Sequence, residues 1–402
     1  MIKELVFVVL SLIIGFIVSF IAIPVIIRIS RYKGLTDKPD EKRKIHKKSI
    51  PNLGGVGIFC GFAVSCGIAI NNYIPEYFTV MTASLIILFF IGIKDDILVI
   101  DWKKKLAGQI IAAGLIVFIG GVYIPGLDGL FSINSFPHYT GMLFSVFTII
   151  IITNAFNLID GVDGLAGTLS VIACSVFGVW FLIGGHFSEA IILFSLTGTL
   201  AAFLFFNFEP AKIFLGDTGA LMIGFILSVS AFRLMQLNNN TEHVSLASPA
   251  IFTFSVMIIP LLDTLRVIII RIVRGRSPLK PDSNHVHHFL IEKGFRYRDI
   301  VILLTSFSLL ITFLSVVINS WEPHLYISVV MLTGLAIFPA AGGIMLILKS
   351  HRVKKSTNFT FDPKNAPEFL LWAENPDSGN GNGNHLKRKE TASKESVETD
   401  YD

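Results

Sequence analysis

The chain has 402 residues, of which 52% are hydrophobic and only 15% charged, with 35 Phe and a formal net charge of +4. That balance excludes an ordinary water-soluble domain, and no nucleic-acid partner is expected. Apolar stretches near or above the roughly 18–20 residues that cross hydrocarbon recur along the whole sequence. The expected fold is all-α, a polytopic membrane helical bundle.

The first apolar run, LVFVVLSLIIGFIVSFIAIPVII at 5–27, is too long for a signal-peptide core and lacks a small-residue cleavage site, so it reads as a retained span. Further spans are expected at 53–70, 77–93, 105–124, 140–159, 164–183, 189–206, 218–237, 248–270, 299–318 and 325–348, eleven in all. Alternate connections differ sharply in cations. The 28–52 loop carries nine Lys and Arg and the 271–298 loop seven, whereas 71–76, 125–139, 184–188 and 319–324 carry none. The positive-inside rule then places the N-terminus outside and the C-terminus in the cytoplasm. Cys60, Cys66 and Cys174 all fall within spans and form no CxxC pair, which suits packing better than redox chemistry. The sequence divides into a membrane domain, 1–348, and a polar tail, 349–402, too poor in apolar residues to fold alone.

Four polar clusters fall on the cytoplasmic side of this topology: KDDILVIDWKKK at 94–105, NAFNLIDGVDGLAG at 154–167, KIFLGDTG at 212–219 and NHVHH at 284–288. Ionisable residues at a membrane boundary are costly, so each is a functional candidate. Each also has a plainer reading. Asp95-Asp96 fits a solvated loop, although adjacent carboxylates repel unless a cation compensates them. Asp160 and Asp163 fit the N-cap of the following helix, as does Asp217 in its Gly-Asp-Thr-Gly turn. The histidines fit a solvated loop or a zinc site, the latter without a nearby cysteine. Asp263 and Arg266, three apart on one helix, fit a self-neutralising pair or an outer wall to the site. The reading common to all four clusters is a magnesium–phosphate site, because Mg²⁺ is held by one or two carboxylates together with substrate phosphates, and cations neutralise the remaining charge.

DD after the third span, NAFNLIDGVDGLAG, FLGDTG and PDSNHVHH, together with DKPDEKRKIHKKSIPNLGG at 37–55, resemble the polyprenyl-phosphate N-acetylhexosamine-1-phosphate transferases, glycosyltransferase family 4. The likeness runs from about residue 31 to 290. His285-Val286-His287-His288 replaces the three consecutive histidines of the phospho-N-acetylmuramoyl-pentapeptide branch, and is similar to the branch that uses UDP-N-acetylglucosamine. The resemblance implies transfer of GlcNAc-1-phosphate from UDP-GlcNAc to undecaprenyl phosphate at the inner face of a bacterial cytoplasmic membrane, releasing UMP and starting a cell-envelope glycan. Another UDP-HexNAc is the alternative donor. The resemblance also implies Mg²⁺, with Mn²⁺ as its substitute, and a homodimer as the assembly to test for.

Carried over residue by residue, Asp217 resembles the principal Mg²⁺ ligand. Asp95 resembles the group that activates the lipid phosphate, and Asp96 beside it shapes the metal site. Both direct displacement and a covalent intermediate fit these residues. Asn157, Asp160 and Asp163 would contact the nucleotide-sugar, and Phe214 would stack on uracil. His285, His287 and His288 would hold the diphosphate. Arg43, Lys44 and His46 would bind phosphate or close over the donor. Lys104 and Lys105 would meet the lipid phosphate, and Arg276 would lie near the phosphates. Two rivals explain less. An intramembrane prenyltransferase accounts for DDILVID but not for FLGDTG or HVHH. A secondary transporter places its ionisable groups at the bilayer midplane, not at one surface.

Overall fold

Apolar runs of this length become helices because hydrocarbon offers the backbone no hydrogen-bond partner but itself. A computed structural model of the chain describes residues 2–36, 50–70, 74–241, 244–273 and 285–335. All lie in the first of two units, Met1–Gly343; the second, Ile344–Asp402, falls outside the described residues, as does the 349–402 tail. The described residues hold thirteen α-helices and no β-strand. In order these are α1 (Ile2–Lys33), α2 (Gly54–Ala69), α3 (Phe78–Leu98), α4 (Trp102–Gly114), α5 (His138–Ile159), α6 (Leu165–Ile183) and α7 (Phe187–Asn207). There follow α8 (Gly216–Leu237), α9 (Pro249–Val256), α10 (Ile258–Val273), α11 (Val286–Glu292), α12 (Tyr297–Val317) and α13 (Pro323–Leu335).

Seven helices are long and apolar enough to cross a membrane: α1, α3, α5, α6, α7, α8 with its short extension, and α12. The chain is an all-α, multi-pass membrane protein. Burial identifies its centre. In α8, 83% of the apolar window is buried, against 28% in α1 and in α3. The central post is therefore α8, with α2, α3, α5 and α6 packed around it.

The segment expected as one span at 248–270 is instead two helices, with Met257 between them at φ −102°, ψ 18°. Pro260 accounts for the break: it lacks an amide hydrogen and its ring clashes with the carbonyl four residues back, Val256, the last residue of α9. The loop expected at 271–298 contains the short helix α11. Arg233, a charge inside the bundle, is neutralised by Glu189 at 3.0 Å and lies over the Tyr77 ring at 4.8 Å.

The site is positioned by the contact between the end of α3 and the start of α8. Asp96 reaches from α3 to the first turn of α8 and accepts hydrogen bonds from the Asp217 amide (2.7 Å), the Thr218 amide (3.0 Å) and the Thr218 hydroxyl (2.6 Å). The Asn52 side-chain amide donates to the same carboxylate at 3.3 Å. Its charge faces the positive end of the helix dipole. Gly216 opens α8 at φ 74°, and a Cβ there would meet the Asn52 carbonyl oxygen and stand 2.7 Å from Asp96 Oδ2. Only glycine fits that position without strain.

Removing this acceptor leaves buried donors unsatisfied, which costs about 1–3 kcal/mol. Asp96→Ala should therefore lower the melting temperature in detergent clearly more than Asp101→Ala, which removes an exposed cap on α4. Equal melting temperatures for the two variants would show that Asp96 does not anchor α8.

Candidate active site

Lys105, in the first turns of α4, reaches the carboxylates of two other helices. Its ammonium lies 2.5 Å from Asp217 Oδ2 and 3.1 Å from Asp95 Oδ2. Asp95 is fixed from behind, since its Oδ1 accepts from the Ile100 amide at 2.7 Å. Asp95 and Asp217 thus both turn Oδ2 to one point between α3, α4 and α8. Asp96 is turned the other way. Expected beside the metal, it directs both oxygens to the start of α8. Lys104 is exposed, on the rim of the same helix.

The 154–167 motif closes a second side. Asp160 ends α5, and its carboxyl is held well above the usual range, first by burial and then by the negative charges of Asp217, Asp96 and Asp163. That influence places it in the same acidic cluster. Asp163 is buried and accepts from the Ala211 amide at 3.2 Å. The cap reading of this pair is not what the structure contains. Helix α6 starts after Gly164, which takes φ 81° with no side-chain cap, and the Gly164 amide donates to Asn207 Oδ1 at 2.8 Å. Asn157 stands half-buried one turn before Asp160. One turn earlier again, Asn154 exchanges amide hydrogen bonds with Gln109 of α4 at 3.0 and 3.4 Å.

Residues 51–55 run beside 214–215. The Phe214 amide donates to the Pro51 carbonyl (2.8 Å), the Gly54 amide to the Phe214 carbonyl (2.9 Å) and the Gly55 amide to the Leu215 carbonyl (2.8 Å). Phe214 is half-buried and its backbone is fixed by this pairing. Arg43, Lys44 and His46 of the preceding loop, and Arg276, lie outside the described residues.

The histidines form the third side. His285 Nδ1 lies 2.9 Å from Asp263 Oδ2, and the Val286 amide donates to Asp263 Oδ1 at 2.7 Å. Asp263, considered above as partner of Arg266 or as an outer wall, orients a histidine. Its carboxylate draws the proton to Nδ1 and leaves Nε2 bare and buried without a partner. His287 stacks on His285, with ring centroids 5.6 Å apart and planes 5° apart, and neither of its nitrogens has a hydrogen-bond partner. His288 lies against His287 at 4.2 Å. A Cβ on Gly161 would overlap the His287 ring, so the Asp-Gly-Val-Asp turn needs that glycine to admit the histidine. Stacked rings do not converge as zinc ligands, and no group of three His, Cys, Asp or Glu side chains forms a ligand set among the described residues. An acidic pair that awaits substrate oxygens is still a fit for Mg²⁺, whose coordination is usually completed by phosphates and water.

Sequence reasoning missed Asn52, Gln109, Thr218 and Asn207. Asn207 ties the Gly164 amide to the Ile213 carbonyl (2.9 Å) and so joins two motifs. Its signal was a buried amide at the end of an apolar helix.

Burial, then the neighbours His288 and His285, push the His287 imidazole down to about 3. An unfolded histidine titrates near 6.5. Protons therefore bind the unfolded chain preferentially, and stability is lost as pH falls from about 6.5 toward about 3, at about 1.4 kcal/mol per pH unit. His287→Gln should lose less melting temperature between pH 7 and pH 5 than the parent. Parallel curves would show that His287 is not held neutral.

A family model described as glycosyl transferase family 4 matches residues 78–235, from the start of α3 to the end of α8. The chain is 33% identical over 319 residues, 77% of its own length and 86% of the relative's, to a protein of Bacillus subtilis (strain 168) named probable undecaprenyl-phosphate N-acetylglucosaminyl 1-phosphate transferase. It is 31% identical to the undecaprenyl-phosphate alpha-N-acetylglucosaminyl 1-phosphate transferase of Yersinia pestis, over 74% of this chain and 80% of that one. It is 34% identical to the decaprenyl-phosphate N-acetylglucosaminephosphotransferase of Mycolicibacterium smegmatis, over 65% and 70%.

Proposed function

This chain belongs to glycosyl transferase family 4, and from that premise we propose that it transfers N-acetylglucosamine-1-phosphate from UDP-GlcNAc to undecaprenyl phosphate. The observation that carries the proposal is the meeting of Asp95 and Asp217 at Lys105, with Asp160 in the same acidic cluster and His287 packed over the turn that follows it. Phosphoryl transfer needs positioning and charge neutralisation more than covalent machinery, and this arrangement supplies both. The names of the relatives support a polyprenyl phosphate acceptor and an N-acetylglucosaminyl group.

In the reaction, an oxygen of the lipid phosphate bonds to the sugar-bearing phosphorus of UDP-GlcNAc while the bond from that phosphorus to the UMP oxygen breaks. Asp95 faces the attacking oxygen and Lys105 neutralises its phosphate. His285 and His287, whose Nε2 atoms have no protein partner, hydrogen-bond the diphosphate. Asn157, Asp160 and Asp163 grip the sugar and nucleotide, and Phe214 stacks on uracil. Bound Mg²⁺, held by Asp217 with Asp95 beside it, would withdraw charge from the diphosphate. Asp96 contributes by holding the helix that carries Asp217.

An apolar cavity of about 430 Å³ within the bundle is suited to an apolar chain. Its walls come from the 124–131 segment and from α5, α8, α9, α10 and α13. It reaches Ile151, three residues before Asn154, and Leu261, two before Asp263. The cation-rich loops at 28–52 and 271–298 support a cytoplasmic active site, where a nucleotide-sugar is available.

Purified protein should release UMP from UDP-GlcNAc in the presence of undecaprenyl phosphate and Mg²⁺, and faster than from other UDP-HexNAc donors. Asp217→Asn should abolish release at saturating Mg²⁺ with an unchanged melting curve. Wild-type turnover in that variant would remove Asp217 from the site. Orientation is tested separately. A cysteine at Ser135 should react with an impermeant thiol reagent on intact cells, and one at Lys293 only after permeabilisation. The reverse pattern would put the site on the outer face.

A further inference from the structure

Two of the carboxylates around Lys105 are fixed by groups away from it. Asp96 is saturated by the start of α8, and Asp163 accepts from the Ala211 amide. Asp95 and Asp217 differ: Asp95 keeps its Oδ1 on the Ile100 amide, but both turn Oδ2 to one flexible side chain. The Lys105 ammonium contacts Oδ2 of both, at 3.1 and 2.5 Å, and is only 15% exposed. Two like charges turned to one point repel unless a cation lies between them. Lys105 supplies that cation from within the chain.

The position it fills is the one a divalent cation bridging Asp95 and Asp217 would take. A magnesium ion sits about 2.0–2.1 Å from its oxygens, inside the space the ammonium spans, so the two ions cannot share it. Lysine suits exchange. It is a compact point charge on a four-carbon stem, without the rigid fork that would fix an arginine to both carboxylates. Helix α4 also begins at the rim, where Lys103 and Lys104 are exposed, so the stem has room to swing outward without moving the helix.

We propose that Lys105 is an exchangeable place-holder: it holds Asp95 and Asp217 together while the metal is absent, and leaves them when a divalent cation binds. The released ammonium then stands beside the cation, free to take the acceptor's phosphate, so metal loading and readiness for the lipid are one event. This rests on the assignment of Asp217 as metal ligand made above. It goes beyond that assignment in making Lys105 and the metal competitors for one position.

The test is Mn²⁺ binding to the full-length protein in detergent, without nucleotide or lipid, followed by the loss of the free Mn²⁺ paramagnetic signal. Lys105→Met keeps the length of the side chain and removes its charge, so it should bind Mn²⁺ at least about fivefold more tightly than the parent. Lys105→Arg keeps the charge and should bind no more tightly than the parent. Asp217→Asn should lose binding. A second measurement needs no variant: Mg²⁺ should increase the labelling of Lys105 by a water-soluble amine reagent, read peptide by peptide by mass spectrometry. Unchanged or weaker Mn²⁺ binding in Lys105→Met, with binding still lost in Asp217→Asn, would overturn the place-holder and leave the metal assignment standing. Labelling of Lys105 unaffected by Mg²⁺ would also overturn it. Undiminished binding in Asp217→Asn would overturn both.

Discussion

The hydrogen bonds from the start of α8 to the Asp96 carboxylate are the constraint on which the rest of this site depends. Helix α8 is the most enclosed of the seven spanning helices, and a helix start in such surroundings leaves amides that need acceptors. One carboxylate from α3 meets that need. In doing so it sets Asp217, the next residue along, against Asp95, the residue before Asp96. The Asp-Asp pair therefore divides its labour. One member fixes the helix, and the other turns its Oδ2 to Lys105.

A second constraint follows from bringing so many carboxylates to one place. Asp95, Asp96, Asp160, Asp163 and Asp217 gather near Lys105, which is bonded to Asp95 and Asp217. The fold manages the excess in three ways. It spends Asp96 on a helix terminus, binds Asp163 to a backbone amide, and places Asp160 where its carboxyl is held well above the usual range. What remains is a pair with one shared counter-ion. Such a centre has a standing demand for positive charge, which the proposed divalent cation would meet.

The helical runs were legible in the sequence because hydrocarbon imposes a length and a composition that a linear reading detects. The four motifs were legible because polar residues stand out against such runs. What the sequence did not disclose is direction. Asp95 and Asp96 are adjacent and chemically alike, and only the approach of α8 decides which one it captures. Asp160 and Asp163 looked like caps because they precede a helix, but the turn places Gly164 at the start and hands its amide to Asn207, more than forty residues away. Asp263 looked like half of an i,i+3 pair, whereas the break at Met257 and the return of α11 bring it to His285. Each of these plainer alternatives fails for the same physical reason. Local spacing shows what a side chain can do, and the long-range partner decides what it does.

The break between α9 and α10 joins the polar and apolar halves of the site. Pro260 ends the straight run of helix, and within three residues the chain supplies Leu261 to the apolar cavity and Asp263 to His285. A continuous helix would turn these two positions, two residues apart, about 200° from each other, so each faces a different neighbour. The helix after the break therefore has one side for hydrocarbon and one for the charged site. An acceptor with a phosphate head and a long apolar chain has the same division along its length, and α10 is the element whose two sides match it.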